Sequence, residues 1–158
     1  MKTNTMKIAI VRLSALGDII NSSVVLEFLH KHFKSIEIDW ICEEVFAPLL
    51  QDHPLISRVC TINLKEIKKS KSLSLLRQNY NKLKTLGDYD IVIDMQGLIK
   101  SAIVSRIISK NTHGFDKKST RESLAALFYK TVSSIDYSEN VVKRNCFVVS
   151  DALGFEIT

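Results

Sequence analysis

Met6 to Leu13 is an almost continuous apolar run rich in Ile and Val, the pattern of a strand covered on both faces. Ile20, Val24, Val25, Phe28 and Leu29 then recur at helical spacing, with Asn21, Glu27 and Lys31 on the opposite side, which predicts an amphipathic helix after a short loop. The alternation repeats along the chain. Ile36–Cys42 reads as a second strand, Glu44–Gln51 as a short helix ended near Pro54, and Arg58–Leu64 as a third strand. Ser72–Leu86 reads as a longer helix closed by Gly87, a C-terminal cap residue. Tyr89–Met95 is a fourth strand, Leu98–Ser109 a helix, Thr112–Phe115 a short fifth strand, and Ser119–Ser133 and Glu139–Leu153 are helices, the last capped by Gly154. Alternating strands and helices of this kind predict an α/β fold, a Rossmann-like doubly wound parallel sheet whose ligands sit beyond the carboxyl ends of the strands.

Composition changes this picture little. With 158 residues, 46% hydrophobic and 25% charged, the chain can bury the core of one ordinary domain. Residues 1–5, Met-Lys-Thr-Asn-Thr, read as a polar leader ahead of a domain spanning 6–158. Cys42, Cys60 and Cys146 are far apart and odd in number, which supports neither a disulfide framework nor a zinc site. His30, His32, His53 and His113 show no ligand spacing, and no metal is predicted. No apolar stretch approaches the roughly 20 residues of a membrane-spanning helix. The formal charge of +5 favours anionic partners of some kind. Much of it falls between Lys65 and Lys84, a basic, partly amphipathic segment that reads either as a solvated helix face or as a surface for anionic head groups.

Candidate chemistry gathers at the carboxyl edge of the predicted sheet. The loop after strand one reads R-L-S-A-L-G-D, residues 12–18, with Gly17 as its single glycine; the dinucleotide pattern G-x-G-x-x-G and the phosphate loop G-x-x-x-x-G-K-[ST] are both missing. Asp18 has two compatible readings: a helix N-cap, or a general base at the mouth of the crevice that takes a proton from a sugar hydroxyl. After strand four, Asp94, Gln96, Gly97, Lys100 and Ser101 place hydrogen-bonding and cationic groups beside a glycine. Each has a purely structural explanation; together they suit a polyhydroxylated or anionic ligand. In residues 113–122, Ser119 and Glu122 have capping-box spacing, while Asp116, Lys117, Lys118 and Arg121 are left over, a cluster suited to an anion.

R-L-S-A-L-G-D, D-W-I-C-E-E-V-F-A, D-Y-D-I-V-I-D-M-Q-G-L-I-K-S-A and H-G-F-D-K-K-S-T-R-E-S-L-A-A-L-F-Y, in that order, resemble the N-terminal half of lipopolysaccharide heptosyltransferases over nearly all of residues 6–158. The resemblance implies the acceptor-side domain of an inverting, metal-independent GT-B glycosyltransferase that moves heptose from ADP-heptose to Kdo of lipid A. It assigns Asp18 as the base, leaves room for the sugar at Ser14, Ala15 and Gly17, and puts Asp94, Gln96, Gly97, Lys100, Ser101, Lys117, Ser119 and Arg121 on the acceptor side. No cofactor is implied; the donor would be held mainly by a C-terminal domain missing from this chain, which alone would then transfer no heptose. It further implies a cytoplasmic protein peripheral to the inner membrane, with no nucleic-acid partner. The alternatives are another heptosyltransferase of the same family that uses a related donor, and a free-standing, non-catalytic domain for anionic glycolipid.

Overall fold

The structure is a computed structural model, described here for residues 5–155; residues 1–4 of the predicted leader lie outside the described residues. Six parallel strands form one sheet in the order β3-β2-β1-β4-β5-β6. The strands are β1 (Met6–Val11), β2 (Ile36–Glu43), β3 (Arg58–Ile62), β4 (Ile91–Asp94), β5 (Thr112–Phe115) and β6 (Thr131–Ser133). Helices α1 (Leu16–Ser22), α2 (Val25–His32), α3 (Ala47–Leu50), α4 (Leu64–Ser70), α5 (Leu73–Lys84) and α6 (Ile99–Ile108) lie between strands, and α7 (Val141–Leu153) follows β6.

The apolar run of β1 is explained by burial on two sides. Ile8 and Ile10 pack with Ile38, Trp40 and Val148 on the face carrying α1, α2 and α7, while Ala9 and Val11 pack with Ile41, Leu83 and Val104 on the face carrying α5 and α6. Adjacent residues of one strand thus serve two cores, which alternation alone would not suggest.

Four sequence expectations need correction. The single helix expected from Ile20 onward is two, α1 and α2, meeting near Ser23. Residues 64–70, assigned to no helix, form α4. Helix α5 is closed by Thr85, not Gly87, which instead adopts φ +134° beyond it. The predicted helix Ser119–Ser133 does not form: a loop runs to a 3-10 helix, Ser123–Phe128, and then to β6. Tertiary contacts explain this last difference. The Ser119 hydroxyl donates to Asp116 (2.6 Å) and accepts from Ile135 N–H (2.8 Å), while Glu122 accepts from Ile99 N–H (2.8 Å) at the start of α6. Both supposed capping-box side chains are therefore committed elsewhere. Tyr129 lies so close to β5 that a Cβ on Gly114 would fall 2.3 Å from its ring, so glycine is required there. The expected Ser72 start of α5 and Gly154 end of α7 are both present, Ser72 accepting from Leu75 N–H and Gly154 at φ +73°.

His113, buried in β5, binds the sixth strand into the sheet. Its Nδ1 is 2.7 Å from the Thr131 hydroxyl and its Nε2 2.6 Å from Ser133 Oγ, which donates to Asp151 on α7. Because Ser133 gives its only proton to Asp151, neutral His113 donates from Nε2 and accepts at Nδ1. Burial lowers the His113 pKa, and Asp151 opposes that only in part. The unfolded chain, with His near 6.5, then takes up the proton first, so stability is retained above that pH and lost as pH falls below it. Thermal melting should therefore decline between about pH 7 and 5, and a His113→Gln variant should flatten that limb.

Candidate active site

The carboxyl ends of β1 and β4 flank the point where the chain's strand order reverses, and a cleft of about 470 Å³ opens there. Its walls come from the loop after β1 and the first turn of α1 (Arg12, Ser14, Ala15, Asp18), the loop after β4 and the start of α6 (Met95, Gln96, Gly97, Leu98, Lys100), Thr120 and Arg121, and the segment before α7 with the first turns of that helix (Tyr137, Glu139, Val141, Arg144, Asn145). Gln96 joins the first two loops: its Oε1 accepts from Leu13 N–H (2.7 Å) and Ser14 N–H (3.2 Å), and its Nε2 donates to Ser14 Oγ (3.4 Å).

Asp18 is not the N-cap of α1. Ala15 occupies that position without a side-chain cap, and Asp18 stands in the first turn. Its carboxylate instead pairs with Arg12, Nη2 to Oδ2 3.2 Å, while 43% of the side chain stays exposed at the cleft. Arg12 is only 8% exposed and tightly held. Nη1 donates to Met95 O (2.8 Å), and its own carbonyl accepts from the buried Trp40 indole (3.3 Å). Burial lowers the guanidinium pKa, opposed by the charges of Asp18 and Asp94. Its Nε is the one buried side-chain polar atom among the described residues with no hydrogen-bond partner.

Asp94 is fully buried behind this loop. It accepts from Gln96 N–H (2.9 Å), Gly97 N–H (3.3 Å), the Ser101 hydroxyl (2.8 Å) and the Tyr129 hydroxyl. Burial pushes its carboxyl pKa up while these four donors pull the other way. The structural reading of Asp94 as a satisfied strand-end carboxylate therefore describes what it does in the fold.

The candidate residues divide cleanly. Ser14, Ala15, Asp18, Gln96, Gly97, Lys100 and Arg121 share the cleft wall. Asp94, Ser101 and Ser119 are buried behind it, and Gly17 and the exposed Lys117 are not part of the lining. Two arginines were missed as site residues. Arg12, a lone cation ending an apolar strand, carried a readable signal. Arg144 carried none, because its place depends on α7 docking: it lies between the rings of Phe115 and Tyr137, at 4.7 and 4.6 Å, and donates to the carbonyls of Ser119 and Tyr137. Arg12, Lys100, Arg121 and Arg144 against Asp18 and Glu139 leave the cleft cationic.

Residues 80–158, half of the chain, match glycosyltransferase family 9 (heptosyltransferase). The chain belongs to this family. Among family relatives, lipopolysaccharide heptosyltransferase 1 of Campylobacter coli is 51% identical over 139 residues, covering 88% of this chain and 39% of the relative. The Escherichia coli K12 protein of the same name is 31% identical, covering 95% and 48%. In structure, E. coli heptosyltransferase WaaC with ADP-2-deoxy-2-fluoro heptose superposes with a TM-score of 0.89 at 30% identity, over 96% of this chain and 49% of that one. E. coli ADP-heptose lps heptosyltransferase II, at 20% identity and a TM-score of 0.69 over 90% and 40%, shares the fold. The chain thus spans under half the length of these family 9 proteins.

Proposed function

We propose that this chain is the acceptor-binding half of a GT-B lipopolysaccharide heptosyltransferase, holding Kdo-bearing lipid A in the cleft while ADP-heptose is presented from a second domain. Asp18 is the general base. It takes the proton of a Kdo hydroxyl as that oxygen bonds to the anomeric carbon of heptose, and ADP leaves with the electrons of the broken bond. A single displacement of this kind inverts the anomeric centre.

The observation that carries the reading is the Arg12–Asp18 pair at the strand-order reversal. The guanidinium, fixed by Met95 O, holds one carboxylate oxygen and leaves the side chain partly open to the cleft, the arrangement a base needs to meet an incoming hydroxyl. Lys100 and Arg121 suit the Kdo carboxylate or a lipid A phosphate. Ser14, Ala15, Gln96 and Gly97 form the wall for the sugar, and Gly17 stands outside it. Asp94, Ser101 and Ser119 support it from behind, and Lys117 stands outside. Because the acceptor is a lipid, the domain works at a membrane surface, in this reading the cytoplasmic face of the inner membrane.

Titrating a deacylated, Kdo-bearing acceptor into the chain by calorimetry tests the site. Saturable binding is expected, weakened by about tenfold in Arg121→Gln and in Lys100→Gln, since a charge-assisted contact contributes about 1.5–3 kcal/mol before solvent screening. Equal affinity in both variants and the parent would place the acceptor elsewhere.

A further inference from the structure

Helices α4 and α5 form a hairpin that stands beyond the carboxyl edge of the sheet. Asn79, midway along α5, accepts from the backbone N–H of Asn63, just past the end of β3 (3.0 Å), which ties α5 to the end of that strand, while Leu64 at the base packs against the second core. No residue of α4 is buried. The base of the hairpin adjoins the cleft: burial raises the pKa of Glu43 at the end of β2, opposed by the Lys65 backbone and by the charge of cleft-lining Lys100.

The outer face of this hairpin combines two features. Lys65, Lys68, Lys69, Lys71, Arg77 and Lys84 are exposed and stand against a single acid, Glu66. Their local excess equals the formal charge of the whole chain, +5, so the rest of the molecule is neutral. Lys82, by contrast, is engaged with Thr61. Interleaved with these cations, Leu73, Leu76 and Tyr80 lie on one stripe of α5 and are 79%, 48% and 45% exposed, with Lys84 over the Tyr80 ring at 5.8 Å. Cations alone would suit any polyanion. Protruding leucines between them suit a bilayer, where the apolar side chains enter the acyl boundary and the lysines meet phosphate. No helix among the described residues is long and apolar enough to cross a membrane, so contact through this hairpin is made along the surface.

We propose that the α4–α5 hairpin docks the domain onto an anionic lipid bilayer, with the cleft beside the contact plane; the choice of a bilayer rests on the lipid-acceptor reading above. The hairpin contributes none of the cleft lining, so its role is separable from that of Asp18.

Co-sedimentation of the chain with vesicles free of acceptor tests this directly. Binding is expected to phosphatidylcholine vesicles containing phosphatidylglycerol, little to phosphatidylcholine alone, and less as salt rises. A Lys68→Gln, Lys69→Gln, Arg77→Gln variant should lower the vesicle partition by about a hundredfold, at about 1 kcal/mol per cation, and a Leu73→Ser, Leu76→Ser variant should lower it with the charge intact. All five positions are exposed, so unchanged thermal melting is expected and separates lost docking from lost folding. Parent-level vesicle binding in both variants overturns the proposal, as does retention on duplex RNA with no vesicle binding by the parent. Since the vesicles carry no acceptor, failure here leaves the heptosyltransferase reading standing, and failure of the acceptor titration leaves the docking result unaffected.

Discussion

An Asp18→Asn variant, assayed in a two-domain enzyme with ADP-heptose and a Kdo-bearing acceptor, is expected to lose transfer by about 10²–10⁴-fold, the usual contribution of a general base. Asparagine keeps the size of the side chain and an oxygen that can accept from Arg12 Nη2, whose nitrogen lies 3.2 Å from the carboxylate. What it lacks is basicity. Acceptor affinity measured by titration should therefore stay near that of the parent, and the loss should appear in kcat rather than KM. Near-parental turnover would remove Asp18 from the chemistry. Equal loss of affinity would make it a binding residue instead. Arg12→Lys adds a second view, since a lysine keeps the charge but not the planar fork that holds both Met95 O and Asp18. If Arg12 positions the base, that variant lowers kcat with little change in acceptor affinity.

Asp94→Ala is expected to destabilise the fold by about 3–5 kcal/mol, a large share of the ordinary stability of a domain. The substitution leaves the buried hydroxyls of Tyr129 and Ser101 and the N–H groups of Gln96 and Gly97 without their acceptor, and Arg12 without one of its two nearby negative charges. Asp94→Asn should be milder, because its amide oxygen can still accept from the two backbone donors. Chemical denaturation of both variants checks the order. Similar stabilities would mean that the charge of Asp94, and not its set of acceptor bonds, is what the fold uses. In whichever variant folds, a loosened Gln96 would unlink the loops after β1 and β4, so acceptor affinity should fall together with stability.

Much of the architecture was legible because period and length are local properties. The apolar runs of β1, β2 and β4 and the Ser72 and Gly154 caps marked their elements directly. The same patterning brought the loops after β1 and β4 to one edge, because parallel strands present their carboxyl ends together. Residues 119–133 defeated the pattern for a stated reason: Ser119 and Glu122 have the spacing of a cap but bond to Ile135 and Ile99, both distant in the chain. A motif of residue types cannot reveal which of two partners its side chains will choose.

The candidate site shows the same division. By itself the sequence determined an α/β domain, a small-residue loop bearing Asp18, and a second polar loop facing it across the switch point. Tertiary structure decided the rest: that Arg12 turns inward to hold Asp18, that Asp94, Ser101 and Ser119 are buried as supports, and that Arg144 completes the cleft from α7. Strand and helix periods depend on neighbours along the chain, whereas the direction and burial of a charged side chain depend on what packs beside it, and for Arg12 the carbonyl that fixes it, Met95 O, lies more than 80 residues away.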